Sequence, residues 1–190
     1  MQVKSYLLED IKSIKGKYWS YKKPLKPKVD FLKSKYNIPT ILANILVNKI
    51  KDEDLDSYLQ PTFKNSLPDP NILRNMDKTI DIMIDSIFNK SKIGLLGDYD
   101  VDGATSSALI FRYFKEIGID AVVYIPDRAK DGYGISINSI DYFSKKKIKL
   151  LIALDCGSND INSIEYAKNN NIEIIVIDHH EIKTPGNPLS

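Results

Sequence analysis

From residue 92 onward four short apolar runs alternate with segments of helical character, and no other feature restricts the fold as strongly. The runs fall at 92–97, 121–125, 148–154 and 172–177. Between them, 105–117 (closed by Gly118), 136–145 and Ile161–Asn169 read as helices. Strands of this length separated by helices indicate βαβ units and a parallel sheet. The later runs are near-continuous Ile, Leu and Val, which suits a sheet covered on both faces. The expected class is therefore α/β, a doubly wound and mainly parallel sheet.

A small helical leader is expected ahead of it. Thr40 is placed to cap a helix carrying Ile41, Leu42, Ile45 and Leu46, and Asp52 or Asp54 to cap the next, which ends near Gln60-Pro61. Ser66-Leu67-Pro68-Asp69-Pro70 is expected as loop, because proline disfavours helix at the residue before it. From Asp77, a second cap candidate, Ile80, Met83, Ile84 and Ile87 recur at helical spacing to about Asn89.

Charge matters through its distribution. The net charge is +2, yet residues 1–36 carry ten lysines against Glu9, Asp10 and Asp30. That stretch sums to +7 and leaves −5 for the rest. Tyr18, Trp19 and Tyr21 lie among those lysines, beside Lys22-Lys23-Pro24-Leu25-Lys26-Pro27. Two readings fit: an arm that grips a nucleic-acid backbone while its rings stack on bases, or an arm docked on its own domain. The single cysteine, Cys156, excludes an internal disulfide framework and suits a reducing compartment as a packing residue. No apolar run reaches the roughly 18–20 residues of a membrane span, and the first ten residues lack the apolar core of a secretory signal. A cytoplasmic protein without membrane contact is expected.

The polar residues concentrate where the runs end. The first delivers Asp98-Tyr99-Asp100-Val101-Asp102-Gly103, and the second Pro126-Asp127-Arg128 with Asp131-Gly132-Tyr133-Gly134. The third delivers Asp155-Cys156-Gly157, and the fourth Asp178-His179-His180-Glu181. In open α/β sheets the site lies outside the carboxyl ends of the strands. Alternating aspartates after a strand concentrate negative charge that a cation would neutralise; a solvated acidic turn with a helix cap accounts for the same residues. Gly103 allows a sharp turn into a helix whose N-terminal N–H groups suit an anion. The chain's only two histidines sit together after Asp178. Imidazole and carboxylate together suit Mn, Fe or Zn, and a two-metal site is the economical reading. Arg128 could fork onto a phosphate. No phosphate-binding P-loop, dinucleotide fingerprint or nucleophile-elbow motif occurs.

These four segments together resemble the DHH phosphoesterase family, whose name is the triplet Asp178-His179-His180, and within it the RecJ-like exonucleases. Leu67-Pro68-Asp69-Pro70 and Met76-Asp77 are similar to the leader of that branch. The resemblance spans roughly residues 55–181. It implies single-stranded-DNA-specific, 5′-to-3′ exonuclease activity in recombination and repair, with two Mn2+ or Mg2+ ions. By position it implies Asp100, Asp102, Asp155 and His179 as metal ligands, with Asp98 a ligand or a neighbour of one. His180 is implied as the group at the scissile phosphate or leaving group, with Asp178 behind it, and Arg128 as a phosphate contact. Candidate partners are single-stranded DNA, a helicase and a single-strand-binding protein, with the protein itself a monomer. The expected domains are a basic arm (1–36), a helical leader (37–90) and a DHH domain (91–190). Chains of this branch continue past the triplet, whereas only Ile182–Ser190 follow Glu181, so an N-terminal part of a longer enzyme is expected. Other readings are a small-substrate member (a pyrophosphatase, or an oligonucleotide or cyclic-dinucleotide phosphodiesterase) and a non-catalytic DNA-binding scaffold. A haloacid-dehalogenase-type phosphatase also opens on Asp-x-Asp but needs no histidine pair.

Overall fold

The computed structural model describes residues 12–18, 24–50 and 55–183. Trp19, Tyr21, Lys22, Lys23, Asp52, Asp54 and the 184–188 segment lie outside the described residues. The chain divides into two compact units, Met1–Asp69 and Pro70–Ser190.

Besides an antiparallel bridge between Lys12 and Tyr18, the described part of the first unit holds four helices: α1 (Lys26–Tyr36), α2 (Thr40–Lys49), α3 (Leu55–Leu59) and α4 (Phe63–Ser66). Pro27 stands in the first turn of α1, where its missing N–H has no intrahelical partner to lose. Left-handed Asn37 ends that helix. Val29 and Leu32 of α1 are buried with Ala43 and Leu46 of α2 and Leu55 of α3. Residues 26–36 are thus a packed helix, not part of an arm, because one face of this lysine-rich segment is apolar. Thr40 does not cap α2; Pro39 occupies the cap position and Thr40 is already helical.

In the second unit a 3-10 turn (Pro70–Ile72) leads into α5 (Met76–Phe88). Then follow β1 (Ile93–Gly97), α6 (Val101–Glu116), β2 (Ala121–Tyr124), α7 (Ile137–Lys145), β3 (Leu150–Leu154), α8 (Ile161–Asn169) and β4 (Glu173–Ile177). All strand pairs are parallel and the spatial order is β2-β1-β3-β4. Period-two alternation sends side chains to both faces. Ile93, Leu95, Leu150, Ile152 and Leu154 pack with Phe114 of α6 and with Ile82 and Met83 of α5. Leu96, Leu151 and Ala153 pack on the other face with Ile140 and Phe143 of α7 and Ala167 of α8. Fully burying each such aliphatic or aromatic side chain contributes about 1.5–3 kcal/mol. Helix α5, expected in the leader, shares a core with the sheet, and the division into two compact units falls at Asp69–Pro70. Among the described residues no helix is long and apolar enough to cross a membrane.

Helix α6 begins at Val101, four residues before the expected start, because the Asp100 carboxylate caps it by accepting the Gly103 N–H at 3.0 Å. Helix α7 opens on a reciprocal cap between Ser136 and Ser139. The chain passes outward from β1 to β2 across one face, then returns past β1 to β3 across the other. This topological switch point opens a crevice at the carboxyl ends of β1 and β3. Pairing continues beyond the strands: the Asp98 N–H donates to the Leu154 carbonyl at 3.2 Å, and the Asp155 N–H to the Ile177 carbonyl at 2.8 Å.

One polar group in this layer is buried without a partner. Ser107 Oγ, on α6 facing Gly97, makes no hydrogen bond among the described residues. Replacing an unsatisfied buried hydroxyl by a methyl hydrogen is neutral or favourable. Ser107→Ala should therefore hold or raise stability by up to about 1 kcal/mol, read from the urea midpoint. A loss above that size would show that the hydroxyl is used.

Candidate metal centre

Three strands of this edge, β1, β3 and β4, contribute through the residues that follow them. After β1, Asp98 is buried (4% exposed) and accepts the Tyr99 N–H at 2.7 Å. Asp100 lies one step further, exposed, as the cap of α6. After β3, Asp155 takes a left-handed backbone (φ 61°) that aspartate tolerates better than most residues. It is 8% exposed. Burial, and then the Asp100 charge, push its carboxyl above the ordinary range; the two histidines oppose that rise. After β4, Asp178 Oδ2 accepts the Ser158 N–H at 3.0 Å, and Oδ1 accepts the His180 N–H at 3.1 Å. Burial works to raise the Asp178 carboxyl, but these bonds and the His180 ring outweigh it and hold it at about 2.

Two groups of potential ligands result. Asp98, Asp100 and Asp155 bring carboxylate oxygens within 4.8 Å of one another, and Asp155, His179 and His180 do the same with ring nitrogens. Asp155 is common to both. His179 Nε2 stands 3.2 Å from Asp155 Oδ1 with its ring largely in solvent, and the two imidazole centroids are 4.8 Å apart. Clustered carboxylates with imidazole match the donor chemistry of Mn-type divalent cations, so the residues fit the implied metals.

His180 is oriented from behind. Its Nδ1 lies 2.7 Å from Asp178 Oδ1, a bond that raises the imidazole above its usual value against burial. That contact places the proton on Nδ1, and Nε2 lies 3.4 Å from the Tyr133 hydroxyl. The Tyr133 hydroxyl sits 3.2 Å from His180 Nδ1 and donates to the Asp155 carbonyl at 3.3 Å. Burial, followed by the charges of Asp178 and Asp98, keeps that phenol protonated. Asp160 holds the neighbouring turn by accepting the Ile135 N–H at 2.6 Å. A cleft of about 390 Å³ opens beside His180, lined by Tyr133, Ser158, Asn159, Asp178 and Lys183 among others.

Of the residues expected from the sequence, Asp98, Asp100, Asp155, His179 and His180 converge. Asp102 does not join either group; it lies exposed in the first turn of α6, where it acts on Asp155 only through its charge. Gly103, expected as a phosphate contact, gives its N–H to Asp100 instead. Arg128 is exposed and rests over the Tyr99 ring, its Cζ 5.4 Å from the centroid. Cys156 is buried and its thiol is pushed up to about 12 by burial, as befits a packing residue. Sequence reasoning missed Tyr133, whose flanking left-handed glycines Gly132 and Gly134 were its only signal.

Comparison with known proteins agrees with this picture. The family model described as "DHH family, N-terminal domain" matches residues 92–189, just over half of the chain. The single-stranded-DNA-specific exonuclease RecJ of Bacillus subtilis is 29% identical over 172 residues, covering 90% of this chain and 22% of that protein. RecJ of Haemophilus influenzae is 32% identical over 123 residues, covering 64% of this chain and 21% of that protein. The chain thus spans about a fifth of the length of these curated relatives. A crystal structure of exonuclease RecJ bound to manganese superposes with a TM-score of 0.56 at 27% identity, covering 61% of this chain and 30% of that one.

Proposed function

The chain belongs to the DHH family, and from that premise we propose that it serves a metal-dependent exonuclease specific for single-stranded DNA, digesting 5′ to 3′ in recombination and repair. The observation that carries this reading is Asp155, one carboxylate shared by two adjoining ligand groups. In this reading Asp98, Asp100 and Asp155 hold one divalent ion, Mn2+ or Mg2+, and Asp155 with His179 holds a second. Such a pair supplies charge stabilisation at the scissile phosphoryl group and an acidified water. The protein's own groups do the rest. Asp178 orients the His180 ring and favours its imidazolium form, whose Nε2–H would meet the scissile phosphate and pass its proton to the departing oxygen. Arg128 takes a neighbouring phosphate. The relatives' names supply the substrate, single-stranded DNA. A cytoplasmic monomer working with a helicase and a single-strand-binding protein completes the reading.

The test is digestion of a 3′-labelled single strand, with blunt duplex, pyrophosphate and a cyclic dinucleotide as competitors. Stepwise shortening of the single strand from its 5′ end in Mn2+ is expected. Equal attack on duplex, or preference for a small substrate, would overturn the reading. His179 is 76% exposed, so His179→Ala should leave the apo melting temperature unchanged. It should weaken Mn2+ binding at least ten- to a hundredfold, the range already typical of outer-shell partners. Calorimetric titration with Mn2+ measures this.

A further inference from the structure

The loop after β2 is built to present one side chain. Asp127 accepts at its carbonyl from the N–H groups of Lys130 (3.0 Å) and Asp131 (2.8 Å), and at Oδ1 from that of Ala129 (2.9 Å). Asp131 closes the turn in return, its Oδ2 accepting the Asp127 N–H at 2.9 Å and the Tyr124 hydroxyl at 2.8 Å. Since Tyr124 is the last residue of β2, the turn is fastened to the sheet. Arg128 stands in this turn. Its guanidinium lies over Tyr99, whose own N–H is bound to Asp98. Tyr99 is also the residue between Asp98 and Asp100, so the arginine is brought to the rim of the ligand cluster. Among the described residues no carboxylate pairs with Arg128, while neighbouring Lys130 meets Asp127 at 3.8 Å. The ring takes a face of the guanidinium and leaves the N–H edges open, the geometry that grips phosphate in a fork.

We propose that Tyr99 and Asp131 are positioning residues that hold the Arg128 guanidinium edge-outward for a phosphate of a single-stranded nucleic acid; this rests on the nuclease reading above. An exposed arginine otherwise surrenders rotamer freedom when it binds, and the ring and fastened turn remove part of that cost in advance. A cation resting on a ring at an exposed site accounts for about a two- to fivefold effect. The device costs no carboxylate, so the cluster keeps its acids for metal.

Binding of a fluorescent single-stranded oligonucleotide in Ca2+, followed by anisotropy across a salt series, tests this. Arg128→Ala should bind about tenfold more weakly, with a salt slope shallower by about 0.7 for the lost contact. Tyr99→Leu and Asp131→Ala should each bind about two- to fivefold more weakly, whereas Tyr99→Phe, which keeps the ring, should match wild type. Added to Arg128→Ala, neither should weaken binding further, because both act through the arginine. Equal losses from Tyr99→Leu with and without Arg128 would overturn the proposal, as would wild-type binding by Tyr99→Leu. Wild-type binding by Arg128→Ala would instead strike at the phosphate role itself. If Asp131→Ala melts early, the Tyr99 pair decides alone.

Discussion

Asp155→Asn should abolish Mn2+-dependent hydrolysis, by on the order of a thousandfold, while the apo protein melts no lower than wild type. The substitution keeps the shape of the side chain. It also keeps tolerance of the left-handed backbone at φ 61°, since asparagine and aspartate share that ability. What it removes is one buried negative charge that faces Asp100 and that both ligand groups use. Without metal that charge is a liability, set among like charges and out of water, so neutralising it cannot cost the apo fold its electrostatic stability. With metal the same charge is indispensable, and several kcal/mol of transition-state stabilisation go with it. The two effects separate in a melting experiment. Saturation of wild type at a hundred times Kd adds about 2.7 kcal/mol of stability, and the variant should show no Mn2+-induced shift. A wild-type shift in Asp155→Asn would remove Asp155 from the metal site.

The contrast between Asp155 and Asp102 shows what sequence could reach. Four strand ends were legible because short continuous apolar runs and helical periodicity differ over a few residues, and because the parallel rule puts all carboxyl ends on one edge. That reasoning places Asp98, Asp100, Asp155, His179 and His180 together, and they are together. It cannot rank Asp98, Asp100 and Asp102, which alternate identically as a strand would show them. The chain is no longer extended there: Asp100 caps a helix, and Asp102 falls in its first turn, outside both ligand groups though within reach of Asp155 by charge. The cap is itself made by one of the counted aspartates, so the residue's two uses compete in any reading of its type. Tyr133 was hidden for another reason. Its contacts join residues 22 and 47 positions away, and only tertiary structure brings them together. The unit boundary at Asp69–Pro70 was obscured similarly, since the helical periodicity of Met76–Phe88 does not say which core its apolar face will join.

Gly103→Ala poses the sharpest conflict between local preference and packing, and packing should win. Gly103 is in the first turn of α6, where alanine is favoured over glycine by up to about 1 kcal/mol. A Cβ built there, however, would stand 2.3 Å from the Asp98 carbonyl oxygen and 2.4 Å from the Asp98 nitrogen. These are backbone atoms, which no rotamer change can move aside. On the opposing surface a Cβ on Gly97 would meet the Gly103 carbonyl oxygen at 2.6 Å. Strand and helix therefore touch backbone to backbone, with Asp98 at the point of contact. Inserting a methyl group into such a contact costs about 1–3 kcal/mol or more, so the net effect should be a loss near 2 kcal/mol and a fall in melting temperature of several degrees. The displacement must also pass to the ligands, because Gly103 carries the N–H that fixes the Asp100 carboxylate, while the Asp98 backbone occupies the space an added Cβ would need. Gly118→Ala is the control, having open space around its Cβ but a left-handed φ of 77°. It should lose about 1 kcal/mol and keep its Mn2+ affinity. Gly103→Ala should lose both stability and Mn2+ affinity, measured by melting and by calorimetric titration. If it proves more stable than wild type, helix propensity governs this turn and the close approach of α6 to β1 is not what sets Asp98 and Asp100 in place.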